Sequence, residues 1–168
     1  VGIVQYLDPS QRAVLAVGAL SKQDWVGVVS FDSAAQWVVP VRQNANPRAT
    51  VDAIRQIGTG GGTEIPAGLE LACEGVEKLG PDQVSIKHVL LLTDGQSRGA
   101  GYDELLARLH KAGASLSTIG VGDDVNPKLL ADLAHNGKGR YYPIADPTRL
   151  PQVFIKEART IHRSLILE

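Results

Sequence analysis

The chain has 168 residues, with 18 acidic and 17 basic side chains and a formal net charge of −1; neither this balance nor any long basic run points to nucleic acid or an anionic membrane as a partner. The length fits a single domain, residues 1–168, able to bury about two thirds of its unfolded surface without disulfides or a structural metal. One cysteine excludes a disulfide framework, and no apolar run approaches the ~20 residues that span a bilayer, so this segment is expected not to insert into a membrane.

Asp8-Pro9-Ser10-Gln11 reads as a helix start, with Asp8 as cap, Pro9 in the first turn and Gln11 placed for a capping box. The segment from Ala13 to Leu20 is apolar almost all round, as in a deeply covered helix. Val26 to Phe31 and Gln36 to Val41 read as strands joined by a few small or polar residues from Asp32, a connection short enough for an antiparallel pair. Pro40 has no N–H for a ladder, which puts the second strand at a sheet edge. A helix from about Arg48 to Ile57 leads into Thr59-Gly60-Gly61-Gly62-Thr63, and the next helix shows one apolar face at Ile65, Leu69, Ala72, Cys73, Val76 and Leu79. Cys73 therefore reads as a buried, unpaired thiol.

Val89 to Leu92 is a continuous apolar run, the pattern of a strand covered on both faces of a mostly parallel sheet. A helix from Asp103 to Lys111, a strand from Ser115 to Val121, a helix capped by Asn126-Pro127 and ended at Gly137 and Gly139, and a strand from Arg140 to Ile144 follow. A closing helix carries apolar residues at Leu150, Val153, Phe154, Ala158, Ile161 and Leu165. This alternation predicts an α/β fold, a Rossmann-like three-layer sandwich whose mostly parallel sheet has one antiparallel edge strand.

Asp94 closes the buried strand and Thr63 ends the glycine loop, so both fall at the carboxyl end of the sheet, where such folds bind ligands. A hydroxyl and a carboxylate are hard oxygen ligands suited to Mg²⁺ or Ca²⁺. Gly60, Gly61 and Gly62 allow close backbone approach and aim Thr63, and Gly95 completes the turn beside Asp94. Asp123 and Asp124 read as a solvated loop, and His88, His110, His135 and His162 stand in four different elements with no metal-ligand spacing. Ser30, Ser33 and Ser97 lack a nucleophile elbow.

Val26 to Ser33, Thr63, the strand end Leu92-Thr-Asp-Gly95 and the order of elements resemble the von Willebrand factor A (VWA) domain over nearly the whole length. The resemblance implies a metal-ion-dependent adhesion site. Its loops are Asp-x-Ser-x-Ser after the first strand, a threonine such as Thr63 and an aspartate such as Asp94. They hold Mg²⁺, or Mn²⁺ or Ca²⁺, which then takes an acidic side chain from a protein partner. Leu91-Leu-Thr-Asp-Gly-Gln-Ser97, Gly139-Arg-Tyr-Tyr142 and Gln152 to Arg159 are similar to a bacterial subgroup in which a soluble domain of this kind belongs to membrane-anchored proteins carrying a glutamine amidotransferase-like domain.

No Asp-x-Ser-x-Ser occurs, and the chain starts at Val1 with no methionine, so it reads as an N-terminally incomplete fragment of a larger protein. The helix-cap signals at Asp8 imply that the central strand and first metal loop are missing, leaving exposed strand edges and reduced stability. The alternative takes Val1 to Leu7 as the first strand and Asp8-Pro9-Ser10 as the first loop, with Arg12 where the second serine belongs. The functional expectation is a non-enzymatic protein-interaction module dependent on a divalent cation. A metal-independent structural domain and a Rossmann-like metal-dependent hydrolase are the alternatives, and the absence of an evident nucleophile or acid/base pair ranks the hydrolase last.

Overall fold

The computed structural model describes residues 2–5, 20–58, 61–97 and 99–164, with 2–5 and 161–164 described as backbone. The capping signals at Asp8 to Gln11 and most of the apolar Ala13–Leu20 segment lie outside the described residues, as do Thr59, Gly60 and Leu165. Among the described residues six strands form one sheet: β1 (Gly2–Gln5), β2 (Trp25–Phe31), β3 (Ala35–Gln43), β4 (Lys87–Thr93), β5 (Ala114–Val121) and β6 (Lys138–Ile144). Their spatial order is β3-β2-β1-β4-β5-β6. Only β3 runs antiparallel, on β2, and Pro40 sits on this edge strand as expected from its missing N–H.

Among the described residues the helices are α1 (Pro47–Arg55), α2 (Ile65–Glu77), α3 (Tyr102–Lys111), α4 (Pro127–Asn136) and α5 (Leu150–Ser164), the last preceded by a 3₁₀ turn, Pro147–Arg149. Asn46 and Asn126 cap α1 and α4 by accepting from Ala49 N at 3.2 Å and Leu129 N at 3.1 Å. On one face of the sheet Val29, Phe31, Val89, Leu91 and Leu116 meet α2, α3 and α4. On the other, Leu92, Ile119, Val121 and Ile144 meet Leu150 and Phe154 of α5, while Val26, Val28 and Val39 meet Ile54 of α1. Leu91 and Leu92 thus enter opposite cores, which is why the run from Val89 to Leu92 does not alternate.

The expectation of a missing central strand is overturned. β1 occupies the centre, parallel to both neighbours, with Ile3 opposite Val29 on one side and Leu91 on the other. β2 and β4 therefore present no unpaired edge to each other along β1. Four residues suffice because each is paired on one or both sides within an already templated sheet.

Cys73 is buried and free, and burial pushes its thiol up to about 11, the state of an inert core cysteine. Trp37 packs inward: a Cβ on Gly75 would lie 2.7 Å from its ring. Between the sheet and α5 lies a polar cluster that the sequence reading did not find. Glu157, only 3% exposed, accepts from Ser117 Oγ at 2.9 Å, Arg140 at 3.2 Å and the Tyr142 hydroxyl, and its Oε2 lies 3.1 Å from His88 Nε2. Burial alone would raise this carboxyl, but bonding from His88, Tyr142 and Ser117 outweighs it and holds the group at about 2, below its ordinary 4.5.

A depressed folded-state pKa makes the ionised group stabilising above 4.5, a contribution lost as pH falls toward 2. Urea unfolding of the native chain should show this loss across that window. In Glu157→Gln the window should flatten, and stability at neutral pH should fall by about 3 kcal/mol.

Candidate metal centre

The strand order runs outward from the centre in two directions, β1 to β3 one way and β4 to β6 the other, so the switch point lies between β1 and β4. Carboxyl ends at such a point form a natural crevice. Gln5 is level with Phe31 of β2, and Val4 with Leu92 of β4. β1 therefore ends between the ends of its two neighbours, level with the last strand residues before Asp32 and Asp94.

Thr93, fully buried, shapes the turn that presents Asp94: its hydroxyl donates to Gly95 O and accepts from Gly95 N, both at 3.3 Å. Asp94 is half-buried, and burial raises its pKa above the ordinary 3.8; its own N–H opposes the rise, and the charge of Asp124 adds to it. Asp124, read from sequence as a plain loop residue, is therefore an electrostatic neighbour of Asp94. Proximity between residues so far apart in the chain leaves no local signal.

Gly62 has φ of 104°, which calls for glycine, and a Cβ there would also press on Ser33 N at 3.2 Å. Glu64 N donates to Asp32 O at 2.7 Å. These two contacts clamp the glycine loop onto the β2–β3 turn and hold half-buried Thr63 just before α2. The loop after β4 closes on the same helix: a Cβ on Gly99 would lie 2.3 Å from Pro66 Cγ, and Ser97 Oγ is 3.0 Å from Tyr102 OH. Gly61 is exposed, and Gly60 lies outside the described residues.

Asp32 is a second carboxylate at this edge, in an opposite environment. Its Oδ1 accepts from Ala34 N at 3.0 Å and Ser33 Oγ at 3.3 Å, and the Ala34 bond holds its pKa below the ordinary value. Asp32 is satisfied by its own turn. Asp94 instead carries a charge that burial and Asp124 both oppose, which is the condition a cation relieves. Thr63 and Asp94 supply hard oxygens, so the donor chemistry fits Mg²⁺, Mn²⁺ or Ca²⁺. Among the described residues, no group of three or more His, Cys, Asp or Glu is placed to hold a metal. Asp8, Ser10 and Arg12 lie outside the described residues.

The sequence profile of the von Willebrand factor type A domain matches residues 10–156. The uncharacterized protein sll0103 of Synechocystis sp. is 30% identical over 154 residues, covering 89% of this chain and 36% of the relative, so the chain spans about a third of that protein. An aerotolerance-related membrane protein from Bacteroides fragilis superposes with a TM-score of 0.73 at 16% identity, covering 95% of this chain and 99% of that one. Proximal thread matrix protein 1 from the mussel byssus, with zinc occupied MIDAS motif, gives 0.72 at 23% identity, covering 88% of this chain and 38% of that one. The profile match, over most of the sequence, decides the assignment: the chain belongs to the von Willebrand factor type A domain family.

Proposed function

We propose that this domain is a non-enzymatic protein-interaction module in which Thr63 and Asp94 hold a divalent cation that binds an acidic side chain of a partner protein. The observation that carries the proposal is Asp94: a half-buried carboxylate, opposed by Asp124, at the carboxyl end of β4 next to the sheet's switch point. A bound cation would supply one open coordination position for a carboxylate oxygen. The chain's own part is to keep Asp94 half-desolvated beside the charge of Asp124, so that a cation offsets the cost of its ionisation, and to aim Thr63 through the fixed backbone of Gly62.

In the alternative in which Asp8-Pro9-Ser10 is the first loop, Asp8 and Ser10 would add to this ligand set. In that alternative Arg12 would stand where the motif has its second serine, and a cation there would oppose the metal. That substitution is also the specific observation favouring the second reading, a metal-independent scaffold. Membrane association of the larger protein is a further part of the proposal, supported by the Bacteroides fragilis membrane protein of the same fold. No helix among the described residues is long and apolar enough to cross a membrane.

Calorimetric titration with Mg²⁺ and Mn²⁺ tests the reading. Binding should vanish in Asp94→Ala, weaken in Thr63→Ala, and tighten about tenfold in Arg12→Ser, which needs relief of only about 1.4 kcal/mol of charge repulsion. No binding by the native chain or by Arg12→Ser would leave the scaffold reading.

A second prediction uses stability. A raised folded-state pKa means that ionised Asp94 destabilises the metal-free fold at neutral pH, and that this cost disappears as pH falls below the ordinary 3.8. Thermal melts without metal should therefore find Asp94→Asn more stable than the native chain at pH 7, with the gap closing near pH 3. Saturating Mg²⁺ should close it at pH 7 as well, by stabilising only the native chain.

A further inference from the structure

At the pole opposite the candidate metal centre, where β4, β5 and β6 begin, an open cleft of about 250 Å³ is lined by Ser85, Lys87, His110, Gly113, Ser115 and Lys138, with Ile86 and Ala114 completing its wall. None of these residues is acidic. Among the described residues, Lys87, His110 and Lys138 take part in none of the ion pairs, which instead engage Arg55, His88, Arg108, Lys128 and Arg140. Among the described residues, three basic side chains from three elements therefore line one concavity whose wall holds no acidic residue.

Lys138 carries a second, independent mark. With φ of 58° it is the one non-glycine residue in the left-handed region among the described residues. The cause lies on either side of it. A Cβ on Gly137 would meet Leu116 Cβ at 2.6 Å, and one on Gly139 would meet Leu116 O at 2.1 Å, so both glycines are used for close passage over β5. The left-handed step of the turn then falls on residue 138, where a glycine would be unstrained and a lysine is not. The strain is retained at a residue that lines the cleft.

We propose that this cleft binds a phosphate group. Lys87 and Lys138 act as point charges on a dianion, with the His110 imidazole and the Ser85 hydroxyl as further donors. The volume is below the roughly 300 Å³ at which small-molecule pockets begin, which suits a phosphate rather than a whole nucleotide. Ser115 Oγ lies 2.7 Å from His88 Nδ1, so the cleft floor is braced by the same histidine that contacts Glu157. This site is independent of any cation at Asp94.

The test is an amide NMR titration of the native chain at constant ionic strength with inorganic phosphate and, separately, O-phosphoserine. Saturable shifts at Lys87, Gly113, Ser115 and Lys138 are expected. Saturation by inorganic phosphate alone assigns a free-ion site, and saturation by both assigns a phosphomonoester site. Lys138→Gly should weaken binding at least about tenfold while raising the melting temperature, because it removes both the charge and the strain. Lys87→Gln should weaken binding similarly without stabilising the fold. Linear, unsaturated shifts, or affinities unchanged in both variants, would overturn the proposal.

Discussion

The four residues of β1 are the constraint on which the sheet depends. β2 and β4 do not pair with each other; each pairs with β1, so β3 and β2 join β4, β5 and β6 only through Gly2–Gln5. Parallel pairing also fixes direction. Because β1 runs with both neighbours, three carboxyl ends lie side by side, and the loops that follow them must share one rim. The position of the candidate metal centre is thus a consequence of strand direction before any side chain is considered.

Rigidity at that rim comes from backbone contacts rather than from the candidate ligands. The glycine loop rests on Ser33 and is bonded to Asp32 O; the loop after β4 rests on Pro66. Thr63 and Asp94 are presented by stretches of backbone whose own contacts are made to Ser33, Asp32 and Pro66. The contrast between Asp32 and Asp94 shows the same division of labour. One carboxylate is consumed in closing a turn, and the other is held at an energetic cost.

Much of this was legible in the residues. Val89 to Leu92 announced a strand covered on both faces, Pro40 an edge, and Thr63 and Asp94 a common rim, because each of these rests on local chemistry. β1 was not legible. A short apolar run has no period of its own, and the capping pattern at Asp8 offered a competing account of the same region. Glu157 was hidden for a different reason. Its place three residues after Phe154 puts it in the apolar stripe of α5, but the partners that make its burial tolerable come from β4, β5 and β6, far away in sequence. A carboxylate interrupting such a stripe was the one available sign, and the serines at positions 115 and 117, on the same face of β5 as Glu157, were its counterpart.

The Glu157 cluster gives α5 a mechanical property that apolar packing would not. Leu150, Val153 and Phe154 form a surface that similar side chains fill at several offsets, at modest cost. A slide of one helical turn, about 5.4 Å, would carry the carboxylate away from His88, Ser117, Arg140 and Tyr142 together, leaving a charge in the core with no donor. Glu157 therefore works as an indexing pin. It permits one axial register of α5 against the sheet, and any departure from that register is abrupt rather than gradual.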